Sequence, residues 1–397
     1  MGKLERVIAL RRMLIAHEVS RSPGAETVSQ IESTIGDDQP LSPGHQAIFD
    51  RVEALVSATA DHEEIDPIEL NKSRDTLYSF AETALKKLFD STPDLSVDEV
   101  GALEAIVIAD GTRPSFLLAD GKPDLDDPMM GSWADTVSAH YPIMRKLASA
   151  VGRIQPVNGS ASKYIGTGTL ICADKMLVLT NYHVIDDARV KHNVAMRQTG
   201  QTIEIDGTLE IDFDGEASSL KTNRFRLVRV TLPVGHGRGF GVIDAAVAEI
   251  ERVDETSVLP SMVPLLRKDP SYANGGMITL ATVGFPGPPP STVGVTGTVD
   301  WAYVTKTLFK NKFGFKRLAP GTFTSPRGSD SGDANHTAIG HNATTFGGAS
   351  GSLVTAWADE GAPSFALHFT GATGRENHAL AFAPVADALQ AAGVPLV

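Results

Sequence analysis

The chain has 397 residues, 42% of them hydrophobic and 21% charged, a balance that fits a folded protein of two or three domains with a sizeable core. Its net charge of −13 is carried at the front: residues 1–150 hold 14 basic and 26 acidic side chains, the remainder 21 and 22. That excess argues against nucleic acid as the partner of the front half and points to a solvated surface or a basic protein partner.

The amino terminus, MGKLERVIALRRMLIAHEVS, interrupts its apolar residues with charges and has no continuous apolar core, so it does not read as a secretory signal. Arg6 stands where a myristoylation motif requires Ser or Thr, and no window has the length and apolarity of a membrane span. The single cysteine, Cys172, excludes an intrachain disulfide. These features predict a soluble, cytoplasmic protein with no membrane partner.

Apolar residues recur at helical spacing through Leu4, Val7, Ile8 and Leu14, then Ile48, Val52 and Leu55, then Leu77, Phe80, Leu85 and Leu88. Ser42-Pro43 and Ser96 supply helix starts. The spacing predicts an acidic helical domain over residues 1–108, acting as an adaptor or regulator. A connector follows over 109–150. It is rich in Pro, Gly and Asp, with a short strand at SFLL and a helix at WADTVSAHYPIMRKLASAV in which Pro142 starts or kinks a turn.

From residue 151 the texture changes to short β-rich runs separated by Gly, Pro, Asn and Asp, among them YIGTGTLICA, MLVLTNYHV, RFRLVRVTL, MITLATVGF and SFALHFTG. Over 151–397 this pattern predicts an all-β pair of barrels or sandwiches behind the helical domain.

Within this region LVLTNYHVI presents His183 at the end of an apolar strand, GVIDAAVAEI presents Asp244 at the head of another, and GGASGSLV presents Ser350 among small residues. A serine hydroxyl is a poor nucleophile at neutral pH. It needs an imidazole to take its proton, and the imidazole needs a carboxylate to hold its tautomer. The order His, Asp, Ser supplies all three.

On these motifs the region resembles the chymotrypsin/trypsin-like serine proteases, in particular the bacterial branch without disulfides, which implies a fold class of an N-terminal helical domain followed by an all-β double β-barrel. GTGTLICADKMLVLTNYHV is similar to the strands that deliver the catalytic histidine, DAAV to the segment with the aspartate, and GGASGS to the turn at the nucleophile. The resemblance implies that Ser350 is the nucleophile, His183 the general base and acid, and Asp244 its orienting partner. It also implies that the N–H groups of Gly348 and Ser350 form the oxyanion hole. Ser352 is read as a small packing residue. Ala349 stands where digestive relatives have the aspartate that receives a newly released amino terminus. Arg153-Ile154, although it looks like an activation site, is therefore not expected to work as one, and control is assigned to the amino-terminal domain.

ALHFTG resembles the strand lining the specificity pocket. His368 and Thr345 match pocket residues of the glutamyl endopeptidases, and Asn377 falls in the next segment as part of the pocket wall, which implies cleavage after Glu or Asp. The mechanism needs no metal or organic cofactor, and His336 and His341 lack the further ligands of a zinc site. KTLFKNKFGFKR, with Lys306, Lys310, Lys312, Lys316 and Arg317, reads as a charged hairpin, and GHGRGFG as a surface loop. The expected function is an intracellular serine endopeptidase acting on protein or peptide substrates, perceived as part of a bacterial signalling or defence system by analogy with triggered proteases. The alternatives are a silent peptide-binding scaffold and a triad used for ester hydrolysis or acyl transfer.

Overall fold

The computed structural model describes residues 114–127, 130, 133–270, 279–287, 310–329, 332–345, 347–356, 363–371 and 377–397, together with Thr83. The helical domain read over 1–108 and Lys306 of the basic hairpin lie outside the described residues, Thr83 apart. The chain divides into two compact units, and the described residues fall almost wholly in the second: Ser115–Pro288, Lys312–Gly371 and Asn377–Val397.

This unit begins within the expected connector. SFLL does form a strand, β1 (Phe116–Ala119), which turns back as β2 (Lys122–Pro123). The predicted helix is two helices, α1 (Ala134–Ala139) and α2 (Tyr141–Ala150), because Pro142 in the first turn of α2 has no N–H to continue α1. α2 buries Met144, Leu147, Ala148 and Ala150 and runs directly into the first barrel.

That barrel consists of β3 (Val151–Pro156), β4 (Gly166–Cys172), β5 (Leu177–Thr180), β8 (Leu209–Asp212), β9 (Arg224–Thr231) and β10 (Ala246–Arg252). Its antiparallel order is β10-β5-β4-β3-β8-β9, closed by the β9–β10 pairing. A hairpin of β6 (Met196–Thr199) and β7 (Thr202–Ile205) extends it from β9. Alternation fills the interior: Phe225 and Leu227 of β9 and Ile211 of β8 point in with Ile154, Leu170 and Val178.

The second barrel consists of β11 (Thr279–Gly284), β12 (Arg317–Ser325), β13 (Ala338–His341), β14 (Leu353–Thr355), β15 (Ser364–Gly371) and β16 (Asn377–Ala381). Its order is β11-β14-β15-β16-β13-β12, closed by the β11–β12 pairing, and β1 adds to it through Phe116 opposite Leu318. Leu280, Ile339, Val354 and Phe365 lie in its core. The two closed six-stranded barrels match the expected β architecture.

The basic hairpin is not simply a solvated one. Lys316 and Arg317 are buried, and Lys316 Nζ donates to the carbonyls of Ala148 in α2 and Phe213 after β8, at 2.8 and 2.6 Å. Arg317 donates to the carbonyls of Ser115 and Lys312. The two cations tie the leading segment and the first barrel to the start of β12.

Candidate active site

His183 is not at a strand end. β5 stops at Thr180, and Tyr182 opens helix α3 (Tyr182–His192), which the sequence reading did not anticipate. The first N–H groups of a helix have no partner within it. Here the N–H of His183 donates to Asp244 Oδ1 at 3.0 Å, so a carboxylate from another part of the barrel satisfies it. The other carboxylate oxygen, Oδ2, lies 2.8 Å from His183 Nδ1. An ionised Asp244 therefore places the imidazole proton on Nδ1 and leaves Nε2 as a proton acceptor. Asn181 donates its side-chain amide to the Asp244 carbonyl at 2.7 Å, which locks the segment before β10 to the start of α3. Asp244 is 1% exposed, whereas the His183 side chain keeps 18% of its surface open.

Ser350 lies in the turn leading into β14. Its carbonyl accepts the N–H of Thr167 at 2.9 Å, and the carbonyl of Thr167 accepts the hydroxyl of Thr180 at 2.7 Å, three residues before His183. The Ser350 hydroxyl makes no hydrogen bond to a described residue, and the N–H groups of Gly348 and Ser350 likewise donate to none. Gly348 has φ +94°, and a Cβ there would meet the Tyr164 hydroxyl and the Phe285 carbonyl at 2.6 and 2.7 Å. Only glycine fits this position without strain.

Ser352 does more than pack. Its hydroxyl is fully buried and donates to the carbonyl of Ala349 at 2.6 Å, so it belongs to the turn's hydrogen bonding. The Arg153–Ile154 bond lies inside β3, with Arg153 opposite Thr167 and Asp212 and both residues buried, which removes it from the reach of a protease.

On the second barrel, His368 of β15 is 3% exposed; its N–H donates to the carbonyl of Ser352 and its C=O accepts the N–H of Gly351, the two residues that follow Ser350. Its Nδ1 lies 3.2 Å from Nε2 of His341, which the sequence reading considered only beside His336. Burial, with the charges of His183 and His378, pushes the His368 imidazole down to about 3, so it is neutral at ordinary pH. Thr345 is half-buried just before the turn. Asn377 is buried opposite His341 and donates to the carbonyl of Ala343 at 2.6 Å, so it braces the segment that carries Thr345.

The glycine-rich loop before Asp244 is more than a surface loop. Arg238 reaches Asp186 and Asp187 of α3 at 2.5 and 2.6 Å, the N–H of Gly239 points at Asp244 Oδ2 at 3.4 Å, and Phe240 packs edge-on against Phe369 and His378. Thr167, Asn181, Arg238, His341 and Ser352 are the residues near the site whose contacts the sequence reading missed. All but Ser352, whose partner Ala349 is three residues away, act on a partner far along the chain, where no local pattern announces it.

No protein-family model matches the chain. It is 48% identical over 390 residues to a protein of Lysobacter enzymogenes named a probable serine protease, and the match covers 98% of each chain. With two closed six-stranded barrels around these residues, the chain belongs to the trypsin-like serine proteases.

Proposed function

We propose that this serine endopeptidase hydrolyses peptide bonds through Ser350, His183 and Asp244. The observation that carries the reading is the single Asp244 carboxylate that accepts both the N–H and the Nδ1–H of His183, leaving Nε2 as the basic nitrogen that the mechanism assigns to the Ser350 hydroxyl. Ser350 Oγ attacks the scissile carbonyl carbon as its proton passes to His183 Nε2, and the oxyanion is received by the N–H groups of Gly348 and Ser350. The C–N bond then breaks, His183 gives the proton to the leaving amine, and water enters by the same route to release the acyl group and regenerate Ser350. A neutral His368 carries one ring N–H, and we assign that donor, with the Thr345 hydroxyl, to a substrate carboxylate, a reading that favours cleavage after Glu or Asp.

We also assign the acidic front of the chain to recruitment of a protein partner or restraint of the enzyme, acting inside the cell. The supporting observation is its concentration of negative charge.

A mixed peptide library incubated with the parent and with Ser350→Ala, with cut sites read by mass spectrometry, tests the reading. Cuts by the parent alone, clustered after Glu and Asp, are expected. Equal cutting by both proteins removes Ser350 as nucleophile, and cuts clustered elsewhere remove the acidic preference.

A further inference from the structure

We propose that two buried hydroxyls, those of Thr167 and Ser352, are positioning residues that hold the Gly347–Ser350 turn in its oxyanion-binding shape without any activating cleavage. This inference rests on the triad reading above and adds to it how the site is kept competent.

Every carbonyl of the turn has a donor. The Gly347 carbonyl accepts the N–H of Gly287, at 2.5 Å. The Gly348 carbonyl accepts the Thr167 hydroxyl at 2.8 Å, and the same Thr167 oxygen accepts the N–H of Phe285 at 3.2 Å. The Ala349 carbonyl accepts both the hydroxyl and the N–H of Ser352, at 2.6 and 3.0 Å. The Ser350 carbonyl accepts the N–H of Thr167 at 2.9 Å. All four carbonyls are thus held, those of Gly347, Gly348 and Ser350 by Gly287 and Thr167 from distant parts of the chain and that of Ala349 by Ser352.

In a trans peptide the C=O and the N–H point in opposite directions. Anchoring the Gly347 carbonyl therefore turns the N–H of Gly348 away from Gly287, and anchoring the Ala349 carbonyl turns the N–H of Ser350 away from Ser352. Those two N–H groups are the ones that donate to no described residue. The Thr167 hydroxyl fixes the peptide plane between them. A glycine at 348 permits rotation of that plane, so something must hold it, and a donor that has already paid its ordering cost stabilises an oxyanion far better than a mobile one.

Both hydroxyls belong to residues with no exposed surface, which shields their hydrogen bonds from bulk solvent. Thr167 also presents its carbonyl to Gly351, where a Cβ would collide with it, so the strand and the turn fit only in this arrangement. The alternative device, a new amino terminus at Ile154, would require cutting β3 between its bonds to β4 and β8 and opening the first barrel. The latch makes that cut unnecessary.

The test uses the full chain as parent, Thr167→Val, Thr167→Ser, Ser352→Ala and Ser350→Ala. It measures kcat and KM on one peptide substrate, inhibition by a peptidyl aldehyde whose adduct carries the oxyanion, and the thermal unfolding midpoint. Thr167→Val keeps the side-chain volume and loses the donor. It is expected to lower kcat about 10- to 100-fold with KM little changed, and to weaken the aldehyde by a similar factor, while Thr167→Ser recovers most of both. Ser352→Ala, which creates less strain, is expected to act in the same direction, and the active parent is expected to retain an intact 153–154 bond by mass. An inactive Ser350→Ala beside unimpaired Thr167→Val and Ser352→Ala overturns the latch alone. Variants that only unfold at lower temperature, with kcat and aldehyde affinity unchanged below that point, also overturn it. A Ser350→Ala protein as active as the parent overturns the triad reading and the latch together.

Discussion

Arg238 joins the loop before Asp244 to the helix that carries His183, through Asp186 at 2.5 Å and Asp187 at 2.6 Å. Burial works against ionisation of the two aspartates, but the hydrogen bonds and charges of Arg238 with Arg189 and Lys191 hold both carboxyls below their usual range. The clamp sets where Gly239 and Phe240 sit, and through them the surroundings of Asp244 and of the β15–β16 wall. Arg238 is 43% exposed at its side chain, so each bridge is worth at most about 1 kcal/mol. Arg238→Ala is expected to lower kcat/KM about 2- to 10-fold. Salt is expected to weaken the parent in the same direction and to affect the variant less, as read from kcat/KM against sodium chloride concentration. Identical salt responses would show that the clamp has no part in activity.

Asp244→Asn separates charge from shape. The amide oxygen can still accept the N–H of His183, but its NH2 then faces Nδ1 and stabilises the tautomer with the proton on Nε2. The base is lost although the fold is kept. A fall of about 10⁴ in kcat with little change in thermal midpoint is the expected result, measured on a peptide substrate near neutral pH. A fall below tenfold would mean that His183 draws no help from this carboxylate.

The extent to which the sequence disclosed this arrangement follows the range of the interactions. Alternating runs such as RFRLVRVT needed only their own side chains to read as strands, but their number and spacing fitted barrels and sandwiches alike, because closure depends on pairings between distant strands such as β9 with β10 and β11 with β12. His183, Asp244 and Ser350 stood out through short motifs. α3 did not, because NYHVIDDARVKH has no clean apolar stripe: only Val184, Ile185 and Ala188 are buried, and its first turn is completed by Asp244, far along the chain. Thr167 and Ser352 looked like ordinary small residues, since a hydroxyl's role depends on which carbonyl the folded chain brings to it. Lys316 looked like a solvated cation for the same reason.

Lys316 gives the stability of the unit an alkaline signature. Burial, opposed by the charges of Glu216, Asp214 and Asp212, pushes its ammonium from 10.5 down to about 8. The unfolded chain then binds more protons than the folded one between those two values, so this residue makes the fold more stable as pH rises from about 8 to about 10.5. Below about 8 the full cost of burying the charge is present. Lys316→Met removes the titration and leaves the carbonyls of Ala148 and Phe213 without this donor, each a loss of about 1–3 kcal/mol if buried and unsatisfied. The variant is expected to be less stable at neutral pH and to lack the parent's alkaline gain, as read from denaturant midpoints at stepped pH. Parallel pH curves for the two proteins would contradict the burial of a charged Lys316.

His368 should reveal itself in acid. Its imidazole is pushed from 6.5 to about 3 by burial first and then by His183 and His378, so the unfolded chain binds a proton that the folded chain refuses across that interval. The stability it contributes is complete above about 6.5 and is lost as pH falls toward about 3. The limiting slope is about 1.4 kcal/mol per pH unit. His368→Gln keeps an N–H donor but does not titrate, and it is expected to flatten that part of the denaturant-midpoint curve. The same neutrality bears on specificity. If the ring recognises a substrate carboxylate through a hydrogen bond rather than a charge, the ratio of kcat/KM for peptides with Glu and with Gln before the cut should stay level from about pH 6 to 8, where the substrate carboxylate is ionised. His368→Leu should abolish that ratio, and His368→Gln should keep part of it. A ratio that climbs steeply as pH falls through this range would instead require a cationic imidazole in the pocket, which its burial against His341 opposes.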